Sequence, residues 1–139
     1  MSSLTPAAAI EARLKANWST SPVFLPNEIN KPLRDNGGEP LTFVVLEFPG
    51  GTAEQETIGS PGNNVFREHG GFLIHIQVPM GSGASLARQY AETIAAIFRG
   101  QTFDGVRCWA PNPPQEDTAS DGAWFGVSFF TPFQWDRFA

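Results

Sequence analysis

A single cysteine, Cys108, occurs in 139 residues. One thiol cannot close an intramolecular disulfide and cannot furnish a cysteine zinc site. Nothing in the chain therefore marks an oxidising compartment. Basic residues are also few: nine Lys and Arg face fourteen Asp and Glu, for a formal net charge of −5. They stand singly. This excludes the positive patch of a nucleic-acid-binding domain and a polybasic membrane-surface segment. No apolar run reaches the ~18 residues of a membrane span. Met1-Ser2-Ser3-Leu4-Thr5-Pro6 lacks the basic and apolar regions of a secretory signal. Charged residues are 17% of the chain, below the roughly 25% usual in soluble domains.

What is abundant is apolar and aromatic. Hydrophobic residues are 41%, enough for a core at this length. Twelve Phe and four Trp are more large rings than one small core comfortably takes, so some are expected at subunit contacts. The size is that of one domain, residues 1–139, and the reading is a soluble cytoplasmic protein.

Periodicity supplies the elements. Thr5-Pro6 opens a helix, with a hydroxyl cap and proline at the first helical position. Ala7, Ile10, Leu14 and Trp18 share its face, and Ser19-Thr20-Ser21-Pro22 ends it. Val23-Phe24-Leu25, between two prolines, suits an edge strand or a loop. Residues 27–40 read as a loop. Leu41 to Phe48 is a strand whose Thr42, Val44, Leu46 and Phe48 face the core. Pro49-Gly50-Gly51-Thr52 breaks it, and Glu54 to Ile58 returns as a polar hairpin strand. A main strand runs from Phe72 to Pro79, and Gly70-Gly71 interrupts the segment before it as a bulge or turn. Met80-Gly81-Ser82-Gly83 leads into a helix from Ala84 to about Phe98, with Leu86, Tyr90, Ile94, Ile97 and Phe98 in one stripe and Ala87, Ala91 and Ala95 beside it. Ser82 or Ser85 is its expected cap and Gly100 its stop. A short strand lies around Val106–Trp109, and Pro111–Gly122 is a long acidic loop. A last strand, Ala123–Thr131, ends at Pro132, leaving an aromatic tail. The order α-β-β-β-α-β-β predicts an α+β fold, a mainly antiparallel sheet covered by two helices.

Candidate chemistry is sparse. His69 and His75 do not have the spacing of a helical metal pair, and a third ligand would have to come from Glu68 or Glu47. Gly81-Ser82-Gly83 lacks the lysine of a phosphate loop and the third glycine of a dinucleotide fingerprint. No Gly-x-Ser-x-Gly elbow precedes a helix. Cys108 lies mid-strand, where a small buried thiol is the default. Glu54 and Glu56 read as a solvated hairpin face. No catalytic residue, cofactor site or metal site is assigned. The tail, Phe133, Trp135 and Phe138, either closes the core or docks on a neighbouring copy.

Several segments together resemble the phage tail terminator proteins and the related tail-completion subunits of long-tailed phages and gene transfer agents. These are the N-terminal helix with Ile10, Ala12 and Leu14, and the strand-turn-helix run from Gly71 to Phe98. The Phe98-Arg99-Gly100 helix end and the closing strand with Thr131-Pro132-Phe133 complete the set. The resemblance implies a non-enzymatic virion protein of the tail or neck, assembled in the host cytoplasm. It implies a homo-hexameric ring that caps the tail tube, stops its polymerisation and offers the surface that joins the head. Its partners would be further copies of itself, the tail tube protein and head–tail connector proteins, with DNA passing through the lumen unbound and no membrane. The candidate contacts are Pro49, Gly50, Gly51 and Pro61 at the hairpin, Glu116 and Asp117 in the acidic loop, and Phe133, Trp135 and Phe138 in the tail. Two rivals stand beside this reading. One is another neck, head-completion or tube subunit. The other is a small ligand-binding or hydrolytic α+β domain, which would need a pocket gathering His75, Cys108 and a carboxylate.

Overall fold

The computed structural model describes residues 4–28, 34–117 and 122–139. The start of the segment read for a signal (1–3), part of the 27–40 loop (29–33) and part of the 111–122 loop (118–121) lie outside the described residues. The elements run α1 (Leu4–Asn17), β1 (Val23–Phe24), β2 (Phe43–Glu47), β3 (Thr52–Gln55), β4 (Val65–Pro79), α2 (Ala84–Phe98), β5 (Thr102–Phe103), β6 (Val106–Cys108), β7 (Gln115–Glu116) and β8 (Trp124–Phe138). This is an α+β domain with one mostly antiparallel sheet, ordered β1-β2-β4-β8-β6-β5. Among the described residues only β1 and β2 pair in parallel.

Two fifteen-residue strands, β4 and β8, form the spine. They pair along their whole length, from Val65↔Phe138 to Pro79↔Trp124. At ~3.3 Å per residue each spans about 50 Å. Strands β2 and β3 lie end to end along the outer edge of β4, while β7 and β6 do the same along β8. The helices cover one face at one half of this ribbon. There Phe72, Ile74, Ile76 and Val78 of β4 meet Val127, Phe129 and Phe133 of β8, together with Val44 and Leu46 of β2. Ala87, Ala91 and Ala95 bring α2 close to the sheet, and the Phe98 ring meets Phe72 edge-on at 4.8 Å. From α1, Ile10, Leu14 and Trp18 are buried, and the Arg13 Nε–H donates to the Ile97 carbonyl at 2.8 Å, tying the helices together. Burial falls off toward Val65 and Phe138, so the other half of the ribbon, with β3 beside it, projects as an arm.

Several expectations need correction. Gly70-Gly71 does not break β4; the strand runs straight through. Both glycines sit under aromatic rings of β8. A Cβ on Gly70 would lie 2.8 Å from Phe133 Cζ, and one on Gly71 would strike the Phe130 ring. The residues make room rather than turn the chain. Pro132 does not end β8. Its carbonyl accepts the Trp109 N–H at 2.9 Å. The N and O of a strand residue point to one edge, so the missing Pro132 N–H lies on the β6 side and leaves the β4–β8 ladder intact. Strand β3 pairs with β4, not with β2. No side chain caps α2: Gly83 is the N-cap residue, and the Ser82 hydroxyl donates to the Pro79 carbonyl. The β5–β6 hairpin was missed. Its turn, Asp104-Gly105, has φ of +48° and +79°, the two left-handed residues of a tight hairpin turn. The Asp-Gly pair was the available signal.

Candidate functional site

The sheet has an open face opposite the helices. Across it runs a polar row from three strands and the 111–117 segment. His75 Nε2 lies 2.9 Å from Glu47 Oε2, and His75 Nδ1 is 3.8 Å from Asp117 Oδ2. The Ser128 hydroxyl donates to Asp117 Oδ1 at 2.8 Å. The proton of Ser128 is thus committed to the carboxylate and not to the imidazole. A serine awaiting base-assisted attack needs the opposite arrangement. What the row does is hold the acidic loop on the sheet: the Asp117 N–H also donates to the Gly126 carbonyl at 2.9 Å. At the loop's other side Glu116 accepts from Arg88 of α2 at 2.7 Å. Glu116 and Asp117, expected as partner contacts, both have partners within the chain.

The pocket that a hydrolytic domain would need is split by the sheet. His75 is on the open face. Cys108 is 1% exposed on the helix-covered face. Burial pushes its thiol up to about 12, against a small downward pull from Arg13. Such a thiol is not a nucleophile near neutral pH. Nor do His69 and His75 share a ligand. Six residues apart on β4, they are separated by about 20 Å. Glu47 serves His75, while His69 groups with Glu54 and Glu56, their ligand atoms within 4.8 Å of one another on an exposed surface.

The expected contact residues fall into three places. Pro49, Gly50 and Gly51 are exposed at the step between β2 and β3, where Gly51 lies against the His69 carbonyl of β4. Pro61 is exposed at the far end of the arm, in the β3–β4 connection. The tail divides. Phe133 is 1% exposed in the core, near Phe72, and is a packing residue, not a surface one. Trp135 is half-buried, and Phe138 is 68% exposed at the arm's end.

Sequence reading missed an apolar groove beside the outer edge of β2. It measures about 710 Å³. Leu4 and Ala7 of α1, Phe24, Leu25, Phe43 and Phe48 line it, with Glu11, Glu28 and Glu47 among its walls. Its parts come from three separate stretches of chain, so no local motif announces it. Burial raises the Glu11 carboxyl, Lys15 lowers it, and Glu28 raises it further. Among the described residues no helix is long and apolar enough to cross a membrane.

Comparison with known proteins bears on what these surfaces serve. No curated protein sequence matches the chain. A solved chain whose name states no function is 22% identical, with a TM-score of 0.59, covering 100% of this chain and 98% of that one. A chain from the virion of a native gene transfer agent particle is 13% identical, with a TM-score of 0.63, covering 98% of this chain and 100% of its own. At such identities the likeness is one of fold. Residues 7–129 match the family described as phage tail terminator protein, nearly the whole chain. The chain belongs to the phage tail terminator family, and its role is a structural one in the phage tail.

Proposed function

We propose that this chain is the subunit of a closed homo-hexameric ring that caps the tail tube. The ring stops tube polymerisation and gives the head–tail connector proteins their joining surface. The family match over residues 7–129 carries this reading. The sheet supports it physically. Its edge strand β1 is two residues long and pairs only Val44 and Val45 of the five residues of β2, so among the described residues much of the β2 backbone edge has no strand beside it. Edges of that kind are covered in stable assemblies, and a closed ring covers them without growing into fibres. A chain of the same fold stands in a gene transfer agent virion, which agrees with a place in the tail or neck of a particle. Six copies at −5 each carry about −30, a field in which DNA slides through a lumen without sticking. Assembly takes place in the host cytoplasm, with no membrane step.

Particles produced with the gene deleted test the reading. Electron microscopy is expected to find tails of unregulated length that lack heads. Tails of normal length joined to heads would overturn it.

A further inference from the structure

The register of the arm gathers three metal-ligating side chains that no local spacing in the sequence brings together. Strand β3 pairs with β4 so that Thr52 faces His69 and Glu54 faces Arg67. Beyond them the Glu56 N–H donates to the Val65 carbonyl at 2.7 Å, which carries the pairing on to Glu56. Alternate strand residues share a face. Glu54, Glu56 and His69 therefore stand on the same face of the arm. One carboxylate oxygen of each glutamate and a ring nitrogen of His69 lie within 4.8 Å of one another.

Two features set this cluster apart from a solvated acidic surface. The first is that the cation nearest in register is committed elsewhere. Arg67 stands opposite Glu54, yet its Nε and Nη2 donate to the two Asp136 carboxylate oxygens at 2.9 and 3.1 Å. Glu56 feels the Arg67 charge, and His69 neighbours Asp136, without a hydrogen bond in either case. Among the described residues the side chains of Glu54, Glu56 and His69 make no hydrogen bond or ion pair. Two carboxylates thus converge with no bound cation to offset their repulsion. The second feature is the mixed donor set. Mg²⁺ and Ca²⁺ take oxygen ligands, whereas an imidazole nitrogen with carboxylate oxygens suits a first-row transition ion such as Zn²⁺.

We propose that Glu54, Glu56 and His69 bind a divalent transition-metal ion, with its outer side open to water. The ion ties β3 to β4. Strand β3 is four residues long and exposed throughout, so the bridge holds an edge strand to the spine of the arm. Coordination requires a neutral imidazole and ionised carboxylates, so binding weakens as pH falls. The charged groups around His69 are Glu54 and Glu56 of β3, Arg67 of β4 and Asp136 of β8, and the Arg67 charge is balanced by Asp136. The site lies within one copy and does not depend on the ring.

Calorimetric titration of the untagged, chelator-treated full chain with Zn²⁺ tests the proposal. One ion per chain is expected, with a higher melting temperature and slower hydrogen exchange of the β3 amides when it is bound. His69→Ala and Glu54→Gln are each expected to weaken binding about tenfold or more, since loss of even an outer partner of a metal ligand costs that much. Both positions are exposed, and an unchanged melting temperature without the ion shows that the fold is kept. His75→Gln removes the other imidazole and is expected to leave binding as it was. An excess of Mg²⁺ or Ca²⁺ is expected not to displace Zn²⁺. No heat of binding, or binding that survives His69→Ala, would overturn the proposal. So would a loss with His75→Gln as large as with His69→Ala, or displacement by Mg²⁺, which would mark an ordinary acidic surface.

Discussion

At the residue scale the informative positions are those where a side chain is missing. Gly71 lies beneath the Phe130 ring, so a methyl group there must displace an aromatic across the β4–β8 pair. Gly71→Ala is expected to cost about 2–3 kcal/mol by overpacking, read as a lower urea midpoint. Phe130→Ala in the same chain is expected to recover part of the loss, because the two residues share one space. Thr131 presents the opposite defect. It is wholly buried on the core face, and its hydroxyl has no hydrogen-bond partner among the described residues. Thr131→Val keeps the shape and removes the unsatisfied group. It is expected to stabilise by about 1 kcal/mol, seen as a higher melting temperature. Neither feature was legible in the sequence. A Gly-Gly pair reads as a breaker unless the ring that fills its space is known, and that ring lies some sixty residues along the chain.

At the element scale local pattern was a good guide where local forces decide. The apolar stripe and Gly100 predicted α2 from Ala84 to Phe98, the range observed. Alternation placed Val44 and Leu46 inward on β2, and both are buried. It failed where a long partner overrides a weak local signal. Strands β4 and β8 hold each other extended through Gly70-Gly71 and Pro132, residues that end isolated strands. The arm's pairing is reinforced by Arg67, whose Nε and Nη2 donate to the two Asp136 carboxylate oxygens at 2.9 and 3.1 Å across β4 and β8. That hydrogen bonding, with the guanidinium charge, holds the Asp136 carboxyl below its ordinary value despite an opposing effect of burial. A depressed carboxyl pKa contributes stability above its unfolded value of about 3.9, lost as pH falls through the folded value. Asp136→Asn is therefore expected to be less stable than the parent near pH 7, with the gap closing toward pH ~2. Paired urea titrations at the two pH values check this; a gap that persists in acid would show that the pair acts otherwise.

At the scale of the whole molecule, the chain separates a helix-covered body from an uncovered arm. The body carries the groove, and the arm ends in exposed apolar side chains, Ile58 and Phe138. Composition hinted at this through its surplus of rings, but which rings are surplus depended on the pairing. Phe133 proved to be core, while Phe138 and Ile58 stand in solvent. The groove and the polar row of Glu47, His75, Asp117 and Ser128 were likewise invisible in the sequence, because each gathers residues from distant segments that only the sheet register brings together. The central claim is that these chains form a closed ring of fixed number. The most direct test is the solution mass of the purified wild-type chain, measured by light scattering over a wide concentration range. Six protomers of 15.1 kDa predict a single plateau near about 91 kDa that further concentration does not raise. A mass of one protomer at every concentration, or growth without a plateau, would contradict it.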